Sequence, residues 1–296
     1  MTRQGLSDAV GTRFFMPSAE LTPYISTYYM TDFALQPGET VSDWLHPEWA
    51  NVRLSDRATW QARIGSGDLS PLPRIIGTGP TGLATHFSVT GPMRSWGIGI
   101  LPLGWLRLFD TPADRLADQT LPCAADTPFA DFAPLLEQVF AGPADPAAEA
   151  ARIDAFLLDL LARRPPHEDE ARIRQAHAAL LDETVSSVAD LADRLGISAR
   201  SLERLSLRAF GFSPKLLLRR QRFLRSLAQF MLDPSLKWIS TLDWHYVDQA
   251  HFVRDFQRFM TMRPSQYAAQ DHPVLRSAAR ARAVATGVAV QALHQP

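Results

Sequence analysis

Cysteine is nearly absent: among 296 residues only Cys123 carries a thiol, which excludes an internal disulfide and any multi-cysteine zinc cage. Long apolar runs are missing too. No segment approaches the roughly 18 apolar residues that a membrane span needs. The opening "MTRQGLSDAVGTRFF" lacks the unbroken apolar core of a secretory signal. These absences predict a cytoplasmic protein with no membrane partner. Net charge is scarce as well, at −1. What is present is ordinary in amount: 46% hydrophobic and 21% charged residues suit one or two soluble domains with well-buried cores.

The near-zero net charge hides a segregation. Residues 194–267 hold 13 Arg and Lys against 5 Asp and Glu, a balance of +8, while the rest of the chain stands at −9. Charge divided this way points to one half that meets a polyanion, the alternative being a solvated basic face.

Residues 12–125 read as short β runs broken by Gly and Pro: "NVRL", "WQARI", "RIIGTG", "LATHFSVTG" and "SWGIGILPLGW". The spacing of the turn signals predicts an antiparallel sandwich or barrel rather than βαβ units. Helical periodicity takes over at 129–163, in "FAPLLEQVF" and "AARIDAFLLDLLARR". "RRPPHEDE", 163–170, is the linker candidate, and nearly everything beyond it reads as helix. The expected organisation is α+β: a mostly β, barrel- or sandwich-like domain with helices over 1–165, an all-α domain over 166–270, and a loosely held Ala- and Arg-rich tail over 271–296.

The stretch "VADLADRLGISARSLERLSL", 188–207, carries the decisive pattern. Leu191, Ala192 and Leu195 share one helical face, and small Ala192 allows a second helix to cross closely. Gly196 provides the positive φ that a tight turn between crossed helices requires. Ser198 is placed to cap the next helix, whose apolar anchors are Leu202 and Leu205. Arg200, Ser201, Glu203, Arg204 and Arg208 then point elsewhere. Ala, Gly four residues on and Leu six further on is the pattern of a DNA-binding helix-turn-helix; an ordinary helical hairpin is the bland alternative.

A second such unit follows. "SLKWISTLD", 235–243, serves as its first helix and "DQAHFVRDFQRFM", 248–260, as its second, with Asp248 as cap and Phe252, Phe256 and Phe259 on the core face. Between the units Pro214 opens an uninterrupted helical pattern to Leu232. Such a helix spans roughly 28 Å, against about 34 Å between successive major-groove faces on one side of a duplex.

On "LADRLGISARSLER", "GFSP" with its Arg-rich helix, "YVDQAHFVRDF" and "RPSQY", the stretch from about 172 to 268 resembles the DNA-binding domain of AraC/XylS-type transcription regulators. The resemblance covers about a third of the chain. "HPEWANVRL" and "GIGILPLGW" are similar, more weakly, to the effector-sensing β domains of such regulators. The chain departs from the pattern at Thr241 and His245, where the second unit usually has small Ala and Gly, and at Ser206, where Phe is usual. Histidine tolerates positive φ less well than glycine, which makes base reading by the second unit the less secure of the two.

Other motifs have blander readings. His245, Asp248 and His251 are spaced three apart rather than at the i, i+4 of a helical zinc pair, and Asp248 is needed as a cap, so no metal is expected. "GTGPTG", 77–82, matches G-x-G-x-x-G, but a β-like segment follows where a dinucleotide site requires a helix. His46 and His86 are too scattered for a metal-dependent barrel enzyme. Cys123 has no basic neighbours, so an inert thiol is the default.

The expectation is a sequence-specific regulator that binds double-stranded DNA through Arg200, Ser201, Glu203, Arg204 and Arg208 in the first unit. Gln249, Ala250, His251 and Arg254 serve in the second, with Arg254 a phosphate contact or internal ion pair rather than a base reader. A small-molecule effector, RNA polymerase and a second copy of the chain are the further partners such a regulator can take; no cofactor is expected. One rival is an enzyme with an N-terminal active site targeted by a DNA-binding domain. Another is a regulator that senses nothing and works through a protein partner.

Overall fold

A computed structural model describes residues 9–232, 243, 246 and 248–295. Ten strands lie in its N-terminal part: β1 (Val10–Phe15), β2 (Ile25–Phe33), β3 (Thr40–Leu45), β4 (Ala50–Ser55), β5 (Trp60–Ile64), β6 (Ser70–Pro71), β7 (Ile75–Thr78), β8 (Thr85–Thr90), β9 (Met93–Ile100) and β10 (Thr120–Pro122). They pair antiparallel into a six-stranded sheet, β1-β2-β9-β4-β7-β10, and a four-stranded one, β3-β8-β5-β6.

The central strands of the larger sheet are buried on both faces, and β2 shows how one strand serves two environments. Side chains alternate along a strand. Tyr28 and Met30 face a core shared with helices, while Tyr29, Thr31 and Phe33 face a cavity between the sheets. The covering helices are α1 (Pro102–Leu108), α2 (Leu135–Val139) and α3 (Pro146–Ala162). Asp145 caps α3 by accepting from the Ala147 N–H at 3.0 Å, and Pro146 occupies the first turn, where no donor is needed. The run "SWGIGILPLGW" is only half strand: β9 stops at Ile100 and Pro102 starts α1. Gly104 lets that helix lie against the chain, since a Cβ there would stand 2.1 Å from the Tyr24 carbonyl oxygen.

Among the described residues seven further helices follow: α4 (Glu170–Leu181), α5 (Val188–Leu195), α6 (Ala199–Phe210), α7 (Pro214–Leu232), α8 (Gln249–Met260), α9 (Pro264–Ala268) and α10 (Pro273–Thr286). The two halves share one apolar core, in which Trp49, Leu101, Leu103 and Leu106 pack with residues of α4 to α8. The linker candidate is pinned rather than free. Arg164 pairs with Asp110 at 3.0 Å and Asp131 at 2.8 Å, and Glu170 pairs with Arg107 at 2.6 Å.

The expected loose tail is corrected outright. Residues 273–286 form α10, which packs beside β1 and closes with Gly287 at φ 79°. Asp43 of β3 holds its start, its Oδ2 accepting from the N–H groups of Val274 at 3.0 Å and Leu275 at 2.8 Å. Composition misled here because small alanines let the helix lie close to the strand while offering little hydrophobic contrast.

Candidate DNA-binding surface

The first unit is built from its caps inward. Ser187 opens α5 with a capping box: its hydroxyl accepts from the Asp190 N–H at 3.1 Å, and Asp190 accepts from the Ser187 N–H at 3.0 Å. Gly196 ends the helix at φ 61°, and the Ile197 N–H donates back to Ala192 O at 3.1 Å. No atom lies within 4 Å of where a Gly196 Cβ would stand, so backbone conformation rather than space calls for glycine. Ser198 then caps α6, accepting from the Ser201 N–H at 3.2 Å. Leu191, Ala192, Leu202 and Leu205 are buried, as is Ser206. Arg200, Glu203 and Arg204 are exposed on α6, and Ser201 is half-buried.

Arg208 is exposed but engaged, with a nitrogen 2.7 Å from His167 and another 3.8 Å from Asp169, both in the linker. The last turn of α6 also packs against the N-terminal domain, where Phe210 meets the ring of Trp49, and against His177 of α4.

In the second unit Asp248 caps α8, accepting from the His251 N–H at 2.6 Å. Phe252, Phe256 and Phe259 are buried, while Gln249, Ala250 and Arg254 are exposed and His251 is half-buried. Asp255, fully buried, ties α8 down: it pairs with Arg219 of α7, accepts from the Tyr246 hydroxyl at 3.2 Å and lies 3.8 Å from His251. The first helix of this unit, Thr241 and His245 lie outside the described residues, except for Asp243. So does the trio His245, Asp248 and His251, for which no metal is expected, through His245. Among the described residues no group of three or more His, Cys, Asp or Glu could hold a metal ion.

The helix joining the units runs from Pro214 to Leu232, 19 residues. Sequence reasoning missed that its Arg220 points inward. Arg220 is fully buried, its guanidinium lies 3.9 Å from the Trp49 ring centroid, and it donates to Thr81 O at 3.0 Å. Burial pulls it down to about 9, with Asp118 opposing. The decoys also resolve into structure. Gly77 and Gly79 are demanded by packing, since a Cβ would meet the Phe129 ring at 2.1 Å and the Leu116 carbonyl oxygen at 2.0 Å. Burial pushes the Cys123 thiol up to about 12, which leaves it protonated and unreactive.

The other feature that periodicity could not show is a cavity of about 160 Å³ between the two sheets, closed on one side by α10. Its wall is largely apolar, with Tyr29, Glu48, Arg53 and Arg282 among the polar exceptions.

Residues 191–270 match the family described as a helix-turn-helix domain. No curated protein matches the chain. Among solved structures it is similar to ToxT from Vibrio cholerae at 13% identity, covering 88% of this chain and 97% of that one, with a TM-score of 0.41. It is also similar to the AraC-like transcriptional activator CuxR, at 16% identity over 77% and 90% of the two chains and a TM-score of 0.26. Oxalate oxidase in complex with glycolate follows at 12%, 52% and 72%, with a TM-score of 0.22. Likenesses this loose carry no functional argument. The family match does: it falls on the capped helices, the Gly196 turn and the exposed α6 face, and it makes this a DNA-binding helix-turn-helix protein. Among the described residues no helix is long and apolar enough to cross a membrane.

Proposed function

We propose that this protein is a transcription regulator of the AraC/XylS type, cytoplasmic and non-enzymatic, which reads bases through Arg200, Ser201, Glu203 and Arg204 and is biased by a small molecule held in the cavity between the sheets. The observation that carries the DNA reading is the outer face of α6, where three charged side chains stand exposed beyond a capped N-terminus inside the matched region. Gln249, Ala250, His251 and Arg254 make the second contact in this reading, with Arg208 and Arg254 on phosphates. What supports binding over turnover is that the cavity's polar groups are largely spent on fixed bonds. Arg53 donates to Tyr29 at 2.9 Å and pairs with Glu48, and His46 is bonded to Tyr267 at 2.8 Å.

The test is salt-dependent binding to a DNA fragment selected by the purified protein. A log–log slope steeper than about −3 is expected, since each neutralised phosphate contributes about −0.9. A flat response sinks the reading. RNA polymerase and a second copy of the chain complete the proposed partners; light scattering on the DNA complex tests the latter.

A further inference from the structure

Arg282 sits on α10, beyond the DNA-binding domain in sequence, yet it lines the cavity of the N-terminal domain. Only 4% of it is exposed. One terminal nitrogen, Nη1, donates to the Thr27 hydroxyl at 2.8 Å, while Nε and Nη2 have no hydrogen-bond partner. A buried guanidinium with two donors unmet is costly, because water has been removed and nothing replaces it. Burial accordingly pulls Arg282 down to about 10, with Tyr29 and Glu48 opposing, and the group remains cationic at neutral pH.

The other charges around the cavity do not relieve it. Glu48 forms its ion pair with Arg53. Burial, with the charge of His272, pulls His46 from 6.5 to about 3, so it adds no charge near neutrality. Two cations against one carboxylate leave the lining one negative charge short. Its size sets a second limit. At about 160 Å³, the cavity compares with the roughly 150 Å³ apolar cavity that accepts a benzene ring.

We propose that the cavity binds a small monocarboxylate with an apolar body of one ring or a short chain, and that Arg282 on the C-terminal helix is its anion anchor. The proposal rests on the reading that the cavity holds an effector, and it names the chemical class. Two adjacent guanidinium donors suit the two oxygens of a carboxylate, while Phe14, Phe33 and Phe87 meet the apolar body. The anchor's position supplies the link to DNA binding. Asp43 fastens the start of α10 to the barrel, and beyond α10 the carbonyl of Ala292 accepts from the Gln221 side chain of α7 at 2.7 Å. A ligand held by Arg282 therefore draws together the barrel wall and a segment bonded to the helix that spaces the two recognition units.

The experiment uses the full chain and matched probes, phenylacetate against phenylethanol and hexanoate against hexanol, followed by the fluorescence of Trp60 and Trp96 in the cavity wall. Each carboxylate should bind at least tenfold more tightly than its alcohol. Arg282→Met should abolish that preference, and Arg282→Lys should retain part of it with the charge kept. Equal binding of acid and alcohol by the wild-type chain, binding of no probe, or an unchanged preference in a folded Arg282→Met overturns the proposal. Fragment affinity is measured beside it. An alcohol that binds as well as its acid and shifts DNA affinity leaves the effector reading standing while removing the anionic class. A preferred carboxylate that leaves DNA affinity unmoved supports the site and removes the effector reading.

Discussion

Helix α6 keeps its charged side chains outside the fold, with Arg200, Glu203 and Arg204 exposed, whereas α8 turns a charge inward: Asp255 is fully buried and gathers Arg219, Tyr246 and His251. The first unit takes its shape from local chemistry, through two serine caps and a glycine in the left-handed region. The second is held by a long-range polar cluster that fastens it to the connecting helix. The same kind of substitution should therefore do different things in the two units, a loss of DNA recognition in one and a loss of folding in the other.

The largest expected effect tests whether both units stand on the same foundation. His177 meets Phe210 at the end of α6, and His46 is bonded to Tyr267, which packs on Phe256 of α8. Burial holds both imidazoles at about 3 instead of 6.5, helped by the charge of His272 for His46 and of His294 and Arg220 for His177. Below 6.5 the unfolded chain takes up protons that the folded chain refuses. Stability is thus unaffected above that pH and falls as pH drops toward 3, by about 1.4 kcal/mol per unit for each histidine. These two histidines alone should remove roughly 4 kcal/mol near pH 5 by urea titration, and His177→Gln should lower the slope by about 1.4 kcal/mol per pH unit. A stability that does not change between about pH 7 and pH 5 would break the shared-foundation idea.

Next in size is Asp255→Ala. Removing one partner of a buried ion pair costs about 3–5 kcal/mol, and the low end applies because the Arg219 side chain, 32% exposed, can reach water. Urea midpoints should fall accordingly, and α8 should lose amide protection before α6. Uniform loss across both helices would mean that the second unit is not separately clamped.

Arg204→Ala reads the other side of the comparison. It should leave stability within about 0.5 kcal/mol while costing about 1–3 kcal/mol on the selected fragment and little on random DNA. Equal losses on both DNAs would move Arg204 into the phosphate class.

The smallest effect concerns Arg208, held near Asp169 and His167 at the linker. Exposed pairs of this kind are worth about 0–1 kcal/mol. Arg208→Ala should therefore barely move stability and reduce the salt slope by about 0.9. An unchanged slope would assign Arg208 to the linker alone.

Whatever depends on neighbours a few residues apart was legible before any fold was known. Gly196, Ser198 and Leu202 specify the first turn through φ, capping and helical spacing, and the run from Pro214 to Leu232 has the bounds that its periodicity predicts. The phenylalanines of α8 were readable for the same reason. The alternation of short strands likewise announced an antiparallel β domain ahead of a helical one. Tertiary structure alone decided which arginines face water. Arg204, Arg220 and Arg282 all lie on helices and look alike in a sequence, yet the first is exposed, the second stacks on Trp49 of the other domain and the third lines a cavity. Residues far apart in the chain make those environments: Trp49 and Thr81 for Arg220, Thr27 and Phe14 for Arg282. Caps and periodicity are set within a turn or two of chain, but the burial of a charge is a property of what packs over it, and in this protein that is the opposite end of the sequence.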